Sequence, residues 1–255
     1  MRTIGILGCG KVARKHIDAL KEFDEVEIVV ADVNQTLAEE LAEEENIKFE
    51  ADHRTLIESP QIGIVDVCTP VTTHKKIIID AIQNDKHVFC EKPLCLTLNE
   101  AYEIKGAAEA TKRNVTVGYL YRFHPAIQQI KELLEKEILG DIYFGNFRLG
   151  ARGSHRAWKH KKDTGGGVLN EISVHKLDLI CWLLGSPDQS DKHIYDVVLN
   201  EREIDGETVQ ADAEDILVGE FQIGDARILC QTDLFTPGYM EYIELMGSNG
   251  SIFTS

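Results

Sequence analysis

The chain has 255 residues, enough for one large domain or two smaller ones, and we expect two. Its 43 acidic side chains outnumber the 27 basic ones, and the net charge of −16 argues against a nucleic-acid-binding protein. The six cysteines show no Cys-x-x-Cys pair, so we expect reduced thiols and no metal site. No segment is apolar for long enough to span a membrane, and a strand begins too early for a signal peptide. We therefore expect a cytoplasmic protein that does not bind membranes.

A glycine-rich turn lies between a predicted strand and a predicted helix near the N-terminus. Residues 3–7 are apolar, Gly8-Cys9-Gly10-Lys11-Val12-Ala13 follows, and apolar residues then recur at helical spacing. In a dinucleotide-binding fold the first glycine makes the turn, the second lets the backbone approach the pyrophosphate, and a small third residue allows close packing. The free N–H groups at the helix N-terminus then favour the phosphates. The residues predicted to bind the pyrophosphate are Gly8, Gly10, Lys11 and Val12.

A second predicted strand, residues 26–31, ends at Asp32, about twenty residues after the glycines, where dinucleotide folds place an acidic group for the ribose hydroxyls. The alternative is that Asp32 caps the following helix, predicted over residues 34–45. Val33 and Asn34 come next, without an arginine to meet a 2′-phosphate. NAD is therefore favoured over NADP as the cofactor.

Strands and helices continue to alternate as far as Gly118, which predicts a parallel sheet covered by helices on both faces. Ligands bind outside the carboxyl ends of such strands, so Thr69-Pro70 and Glu91-Lys92-Pro93 are expected to face the cofactor. His74 either approaches the nicotinamide half or is an ordinary histidine at a helix start. The predicted strands here cover residues 62–68, 86–90 and 115–118, and the predicted helices cover residues 73–84 and 97–112.

The pattern changes after Gly118. Residues 126–137 predict an amphipathic helix, and residues 142–149 predict an extended segment. The stretch from Arg152 to Thr164 carries dense positive charge and includes Trp158, which needs burial against something. This stretch either meets a phosphate of the substrate or cofactor or forms a solvated surface loop.

Three consecutive glycines precede a helix predicted over residues 168–184. Glu171, His175 and Asp178 are spaced four and three apart and are expected to share one face of that helix. A carboxylate beside a histidine can orient the ring and stabilise its protonated form, as a general acid or base requires. The alternative is a surface pair without chemistry. Further strands, predicted at residues 194–199, 215–223, 226–233 and 239–246, indicate a mainly antiparallel sheet.

Four segments in this order, spread over most of the chain, make the sequence resemble the Gfo/Idh/MocA family of NAD(P)-dependent oxidoreductases. The resemblance implies an α/β fold with an N-terminal Rossmann dinucleotide-binding domain, residues 1–119. The C-terminal α/β domain, residues 120–255, would carry an open, mainly antiparallel sheet and form a homodimer or homotetramer. The segments are residues 8–13, 91–93, 121–125 and 165–178.

The activity implied by the resemblance is hydride transfer between a sugar, nucleotide-sugar or polyol carbon and the nicotinamide of NAD. Lys92 would bind the reacting hydroxyl, often beside a cis bond to Pro93, and His175 with Glu171 would handle the proton. The substrate-binding residues would be Lys92, Arg122, His124, Glu171 and His175. The cofactor-binding residues would be Gly8, Gly10, Lys11, Val12, Asp32, Val33, Asn34, Thr69, Pro70, His74, Glu91, Lys92 and Trp158.

The chain departs from the family pattern in three places. Glu171 stands where the family usually has aspartate, and Lys159 follows Trp158 where relatives often have arginine. The chain also stops at Ser255, whereas relatives continue beyond the turn at residues 247–250. It is therefore expected to be a short form or to lack its last strands and helix.

Two other readings of function remain open at this point. One is a cofactor-binding regulator or sugar sensor that keeps the fold without turnover; the presence of both Lys92 and His175 argues against it. The other is a family enzyme that acts on something other than a sugar.

Overall fold

The structure is a computed structural model that describes residues 2–153 and 156–255. The chain divides into two compact units, with the boundary between Gly118 and Tyr119. Within the basic stretch singled out above, Ser154 and His155 lie outside the described residues.

In the first unit, short strands alternate with helices. The strands are β1 (Arg2–Leu7), β2 (Val26–Ala31), β3 (Lys48–Phe49), β4 (Ile62–Val67), β5 (His87–Cys90) and β6 (Val115–Val117). The helices are α1 (Lys11–Leu20), α2 (Gln35–Glu45), α3 (His53–Glu58), α4 (Val71–Gln83) and α5 (Leu98–Thr111).

The strands of this unit form one parallel sheet in the order β3-β2-β1-β4-β5-β6. Successive residues of a strand face opposite sides of the sheet, and both sides are apolar because helices cover both. On β1, Ile6 belongs to a core that includes Ile17 and Leu41, whereas Leu7 belongs to a core that includes Ile78. The parallel sheet covered on both faces confirms the predicted Rossmann fold.

The strand order reverses direction between β1 and β4. The chain leaves these neighbouring strands in different directions, which opens a crevice at their carboxyl ends. Backbone hydrogen bonds continue just past the strand ends: Cys68 N–H donates to Leu7 O (2.8 Å), and Glu91 N–H donates to Val67 O (3.0 Å). The loops after β1, β4 and β5 therefore emerge side by side.

Sequence patterns located the longer elements of this unit to within about two residues, and β2 coincides with its prediction. The pair β3 and α3 was not predicted. Both are too short, at 2 and 6 residues, to show a hydrophobic period.

The second unit contains a longer sheet and fewer helices. Its strands are β7 (Ile142–Gly150), β8 (Gln189–Asp196), β9 (Glu201–Ile204), β10 (Glu207–Gln210), β11 (Ile216–Ile223), β12 (Ala226–Asp233), β13 (Met240–Gly247) and β14 (Gly250–Thr254). Its α-helices are α6 (Pro125–Glu135) and α7 (Val174–Leu184), and short 3₁₀ turns occupy Leu120–Phe123 and Ala157–His160.

The main sheet of this unit has the order β14-β13-β7-β12-β11-β8, and β9 pairs with β10 as a separate hairpin. Neighbours in the main sheet are antiparallel except β7 and β12, which are parallel. This confirms the mainly antiparallel sheet. One core joins the helices to the sheet and includes Phe147, Leu179, Ile228 and Leu245.

Two predictions for this unit were wrong in detail. The strand predicted at residues 194–199 lies at Gln189–Asp196 instead. The helix predicted over residues 168–184 is not one regular α-helix, because Leu169–Ser173 forms a π-helix and α7 begins only at Val174. A π-helical turn is wider than an α-helical turn, so the spacing of Glu171 to later residues no longer follows the α-helical period.

Among the described residues, the helices are too short or too polar to cross a membrane.

The turn after β1 offers a test of how the first unit holds its shape. Gly8 has φ of +94°, and a Cβ at this position would lie 2.8 Å from the carbonyl oxygen of Cys68. We expect Gly8→Ala to lower the free energy of unfolding by about 2 kcal/mol, because it adds left-handed strain and a backbone clash. Urea unfolding followed by far-UV circular dichroism measures this loss.

Gly10→Ala is the matched control for this measurement. Gly10 has φ of −79°, and no heavy atom lies within 4 Å of its built Cβ. Its unfolding midpoint should stay at the wild-type value, and equal stability of the two variants would contradict the expectation.

Candidate functional site

The glycine turn presents an open helix N-terminus. Gly8 N–H donates to Ala31 O (2.9 Å), which anchors the turn to the end of β2. Gly10 precedes the first residue of α1 and has no side chain to cap the free N–H groups of the first turn. Gly10 and Lys11 are exposed. The arrangement leaves positive peptide dipoles open to an anionic group.

Asp32 connects the end of β2 to the glycine turn. One carboxylate oxygen accepts a hydrogen bond from Cys9 N–H (2.8 Å), and the other accepts one from Asn34 N–H (2.8 Å). The residue that caps α2 is Asn34, whose side chain accepts from Leu37 N–H. The capping alternative for Asp32 is therefore wrong. A carboxylate offers about four lone-pair sites, so Asp32 keeps capacity for a hydroxyl donor.

His74 joins the loops that follow β4 and β5. Its ring is buried, with Nε2 2.8 Å from Thr69 O and Nδ1 2.9 Å from Pro93 O. Both partners are backbone carbonyl groups of loops that were predicted to face the cofactor. The Lys92–Pro93 bond, in the loop after β5, is cis. His74 therefore links the backbone of the loop after β4 to that of the loop after β5. Neither sequence-based interpretation of His74 predicted this structural role.

A second histidine, His16, was not singled out from the sequence. It lies in α1, and its ring bridges two carboxylates, with Nδ1 2.8 Å from Asp66 and Nε2 3.2 Å from Glu91. The Cys68 sulfur lies 3.3 Å from the same Nδ1. Hydrogen bonds to Asp66, then Cys68, then Glu91 raise the pKa of His16 to about 12. The ring is therefore an imidazolium at neutral pH.

The same contacts act on Glu91. Burial alone would raise the pKa of Glu91, but the hydrogen bond and positive charge of His16 outweigh it, so the pKa is lowered. Glu91 is therefore ionised at neutral pH.

The possible ligand atoms of His16, Asp66 and Cys68 all lie within 4.8 Å of one another, a spacing that could also suit a metal ion. In this arrangement the same atoms are joined by hydrogen bonds, because His16 Nδ1 lies 2.8 Å from the Asp66 carboxylate and 3.3 Å from the Cys68 sulfur. Burial raises the pKa of the Cys68 thiol to about 12.

In the second unit, His175 lies in the first turn of α7 and is buried against Tyr121. Their ring centroids are 4.9 Å apart, and the planes are tilted by 46°. Tyr121 comes from the 3₁₀ turn that precedes α6. The segments at residues 121–125 and 165–178, which carry two of the sequence motifs, thus meet at these two rings.

The acidic residues expected beside His175 bind cations from other elements. Glu171 forms an ion pair with Lys159, whose ammonium lies 5.3 Å from the centroid of the Trp158 ring. Asp178 forms an ion pair with Arg122, with 2.8 Å between Arg122 Nε and the carboxylate. The carboxylates of Glu171 and Asp178 thus serve separate ion pairs, and their shared face with His175 stays a prediction.

Two further predicted site residues are accessible. His124 is exposed at the start of α6, and its carbonyl oxygen accepts a hydrogen bond from Gln128 N–H (3.0 Å). Trp158 is 37% exposed. The basic stretch around Trp158 is therefore not a wholly solvated loop, since it includes the 3₁₀ turn Ala157–His160, where His160 is buried.

A small cavity of about 160 Å³ lies beside the Glu171–Lys159 pair. It is large enough for a few atoms or water molecules and has an ion pair on its wall. Its lining residues are Ala151, Gly153, Lys159, His160, Glu171, Ile172 and Leu234.

Lys176, next to His175, is a buried cation that sequence reasoning missed. Its side chain is 1% exposed, forms an ion pair with Glu241 on β13, and lies 5.0 Å from the centroid of the Tyr121 ring. Burial lowers the pKa of Lys176, while Glu241 acts in the opposite direction. The Tyr239 hydroxyl binds Glu241 and lies 3.2 Å from the Tyr121 hydroxyl. The surroundings of His175 are thus tied to the sheet.

Two family descriptions match nearly the whole chain. "Oxidoreductase family, NAD-binding Rossmann fold" matches residues 2–119, and "GFO/IDH/MocA C-terminal domain" matches residues 127–253. The first unit is therefore the NAD-binding part of an oxidoreductase fold. The chain belongs to the Gfo/Idh/MocA family, which confirms the resemblance found in the sequence and the choice of NAD.

Curated relatives are similar at low identity. The myo-inositol 2-dehydrogenase of Thermotoga maritima is 28% identical over 255 residues, which span 98% of this chain and 74% of the relative. The glucose-6-phosphate 3-dehydrogenase of Bacillus subtilis is 30% identical over 194 residues, or 73% of this chain and 55% of the relative. An uncharacterised oxidoreductase of Bacillus subtilis is 26% identical, and the match covers 71% of this chain and 53% of that protein. The chain therefore spans about half to three quarters of the length of these relatives.

Solved structures show the same fold. Levoglucosan dehydrogenase in complex with NADH and levoglucosan superposes with a TM-score of 0.89 at 24% identity, covering 100% of this chain and 73% of that chain. A probable dehydrogenase from Thermotoga maritima superposes with a TM-score of 0.88 at 25% identity, covering 99% and 75% of the two chains.

The Lys176–Glu241 pair gives a prediction about stability. We expect Glu241→Gln to lower the free energy of unfolding by about 1–3 kcal/mol, because it leaves the Lys176 charge buried without its carboxylate. Lys176→Met, which removes the charge itself, should cost less. Urea unfolding followed by tryptophan fluorescence measures both variants, since both tryptophans lie in the second unit.

Glu132→Gln, at an exposed pair with Lys136, is the control and should leave the midpoint unchanged. A larger loss for Lys176→Met than for Glu241→Gln would refute this account of the buried pair.

Proposed function

We propose that the protein is an NAD-dependent dehydrogenase that oxidises a CH–OH carbon of a sugar, nucleotide-sugar or polyol. The observation that carries the proposal is the position of the glycine turn, Asp32 and the Lys92 loop, which all follow the carboxyl ends of strands near the reversal point of one sheet. Family membership and the names of the relatives support the same class of substrate.

The described residues fit NAD. The N-terminus of α1 and the open space at Gly10 suit a pyrophosphate, with Lys11 and Val12 in the first turn. Asp32 has lone pairs for ribose hydroxyls, with Val33 and Asn34 beside it. The residues proposed to lie along the nicotinamide half are Thr69, Pro70, Glu91 and Lys92, with His74 holding their backbone.

Lys92 is the proposed hydroxyl-binding group. An ammonium that hydrogen-bonds the substrate hydroxyl favours its alkoxide form, which makes loss of hydride from the same carbon easier. When bound, NAD supplies the acceptor for that hydride. The protein itself orients the carbon and removes the proton.

His175 is the proposed base that takes the hydroxyl proton. Its ring is packed against Tyr121, which limits the directions in which Nδ1 and Nε2 can point. Glu171 is the carboxylate proposed to act with His175, and its ion pair with Lys159 lies beside the small cavity. His124 is an accessible substrate contact, whereas the guanidinium of Arg122 is bound to Asp178 and acts mainly by shaping the site.

Assembly is part of the proposal. The second-unit sheet has helices packed on one face through its core, and its other face suits a homodimer or homotetramer.

Turnover separates this proposal from a sensor that binds cofactor without reaction. With NAD and panels of free sugars, nucleotide sugars and inositols, reduced-cofactor absorbance should rise for at least one substrate. We expect Lys92→Ala and His175→Ala each to lower kcat by about 10²–10⁴-fold, because each removes a group that acts on the reacting hydroxyl.

The dissociation constant for NAD should stay within about threefold in both variants, since neither loses the pyrophosphate site. Wild-type turnover by either variant would rule out its assigned role, and NAD binding without turnover of any panel member would favour the sensor.

Gly10→Ala tests the pyrophosphate site separately from stability. A methyl group at this position occupies the space that the phosphates would need, so the dissociation constant for NAD should rise at least about tenfold. Calorimetric titration with NAD measures the change. An unchanged dissociation constant for NAD in a variant of unchanged stability would contradict the assignment of the pyrophosphate site to Gly10.

A further inference from the structure

We propose that His16 is a positioning residue whose ring holds the Glu91 carboxylate against the Lys92 backbone and so fixes the loop that carries Lys92. The proposal rests on the proposed function only for the part that Lys92 plays in turnover.

The first step is the position of the ring. His16 is half-buried in the second turn of α1. Its ring and the Phe89 ring meet edge to face, with 5.7 Å between their centroids. Asp66 on β4 faces Nδ1, and Glu91 after β5 faces Nε2. One side chain from the cofactor-binding helix thus reaches two neighbouring strands of the sheet.

The second step is the charge of the ring. Both partners are carboxylate oxygens, which accept hydrogen bonds, so a ring that bonds to both donates from both nitrogens and is an imidazolium. The hydrogen bond to Asp66, followed by those to Cys68 and Glu91, raises the pKa of His16 to about 12. A group that keeps its proton so firmly does not exchange it during turnover near neutral pH. His16 therefore acts through position and charge rather than as an acid or base.

The third step runs from Glu91 to Lys92. Glu91 Oε1 accepts a hydrogen bond from His16 Nε2, and Glu91 Oε2 accepts one from Lys92 N–H (3.2 Å). The backbone of Glu91 is held as well, through Val67 O. Gly118 leaves room for this carboxylate, since a Cβ there would lie 3.2 Å from Oε1. The carboxylate is thus held at both oxygens, and one of them bears directly on Lys92.

The competing explanation is a purely structural pair, in which His16 and Asp66 fasten α1 to β4. The two explanations differ in how substitutions combine. A structural pair acts independently of Glu91 on the reaction, so the effects on kcat multiply. A positioning residue acts through Glu91, so removing both residues costs no more than removing one.

The kinetic test compares His16→Gln, Glu91→Gln and the double variant in the full chain. We expect each single variant to lower kcat by about 10–100-fold, with the NAD dissociation constant within about threefold, because the loop that carries Lys92 is displaced while the glycine turn is kept. The double variant should match the more impaired single variant.

His53→Gln, at a half-exposed histidine 3.6 Å from Asp52 in the same unit, is the matched control and should behave as wild type. Multiplied losses in the double variant, or wild-type kcat in His16→Gln, would overturn the proposal.

A second measurement does not depend on turnover. In protein with ¹³C-methylated lysines, the Lys92 signal, assigned by its loss in Lys92→Arg, should shift in both His16→Gln and Glu91→Gln and stay in place in His53→Gln. An unmoved Lys92 signal overturns the proposal even in an active enzyme. A shifted signal in a protein that oxidises no sugar or polyol keeps the positioning role and removes only the proposed function.

If His16→Gln does not fold, the protonation state of the His16 ring in the wild-type protein tests the proposal instead. Its ¹⁵N shifts at pH 9 should be those of an imidazolium and should change in Glu91→Gln. A neutral His16 ring at that pH would refute the bridge.

Discussion

The reversal of strand order between β1 and β4 is the constraint on which the first unit depends. It places the loops after β1, β4 and β5 at one edge of the sheet, where backbone hydrogen bonds tie them together beyond the strand ends. The same closeness dictates the residue type at Gly8, because the Cys68 carbonyl occupies the space of a side chain. The crevice at the strand ends, and the place of the Lys92 loop beside it, then follow from topology rather than from any single motif.

Several charges withdrawn from water in each unit are held in ion pairs, and these pairs connect separate elements. His16 joins α1 to β4 and to the loop after β5, while Lys176 joins α7 to β13. Arg202 and Asp215 form a third such pair inside the second unit. A charge withdrawn from water is costly unless a partner is placed well, so each pair restrains the elements that supply it. In this protein the pairs at His16 and Lys176 lie next to residues with proposed chemical roles, which links rigidity of the fold to the site.

Much of the fold follows from local patterns. Apolar runs and the glycine turn predicted β2, and the helical and strand periods of apolar residues predicted the longer helices and the mainly antiparallel second sheet. These features reflect backbone preference and one-sided burial. One local signal was available and overlooked: Asp205-Gly206, both with positive φ, forms the tight turn of the β9–β10 hairpin, as this dipeptide often does. The π-helix at Leu169–Ser173 carries no comparable signal, so the sequence predicted a regular α-helix there.

The sequence by itself determined the family, the NAD-binding motif and the candidate residues Lys92 and His175. Only the tertiary structure decided which side chains restrain them. His16 is 50 residues from Asp66 and 75 from Glu91, and no periodicity relates such positions. The same holds for Lys159 as the partner of Glu171. Local sequence encodes backbone preference, whereas the pairing of distant charges depends on strand register and helix packing, which arise only when the whole chain has folded.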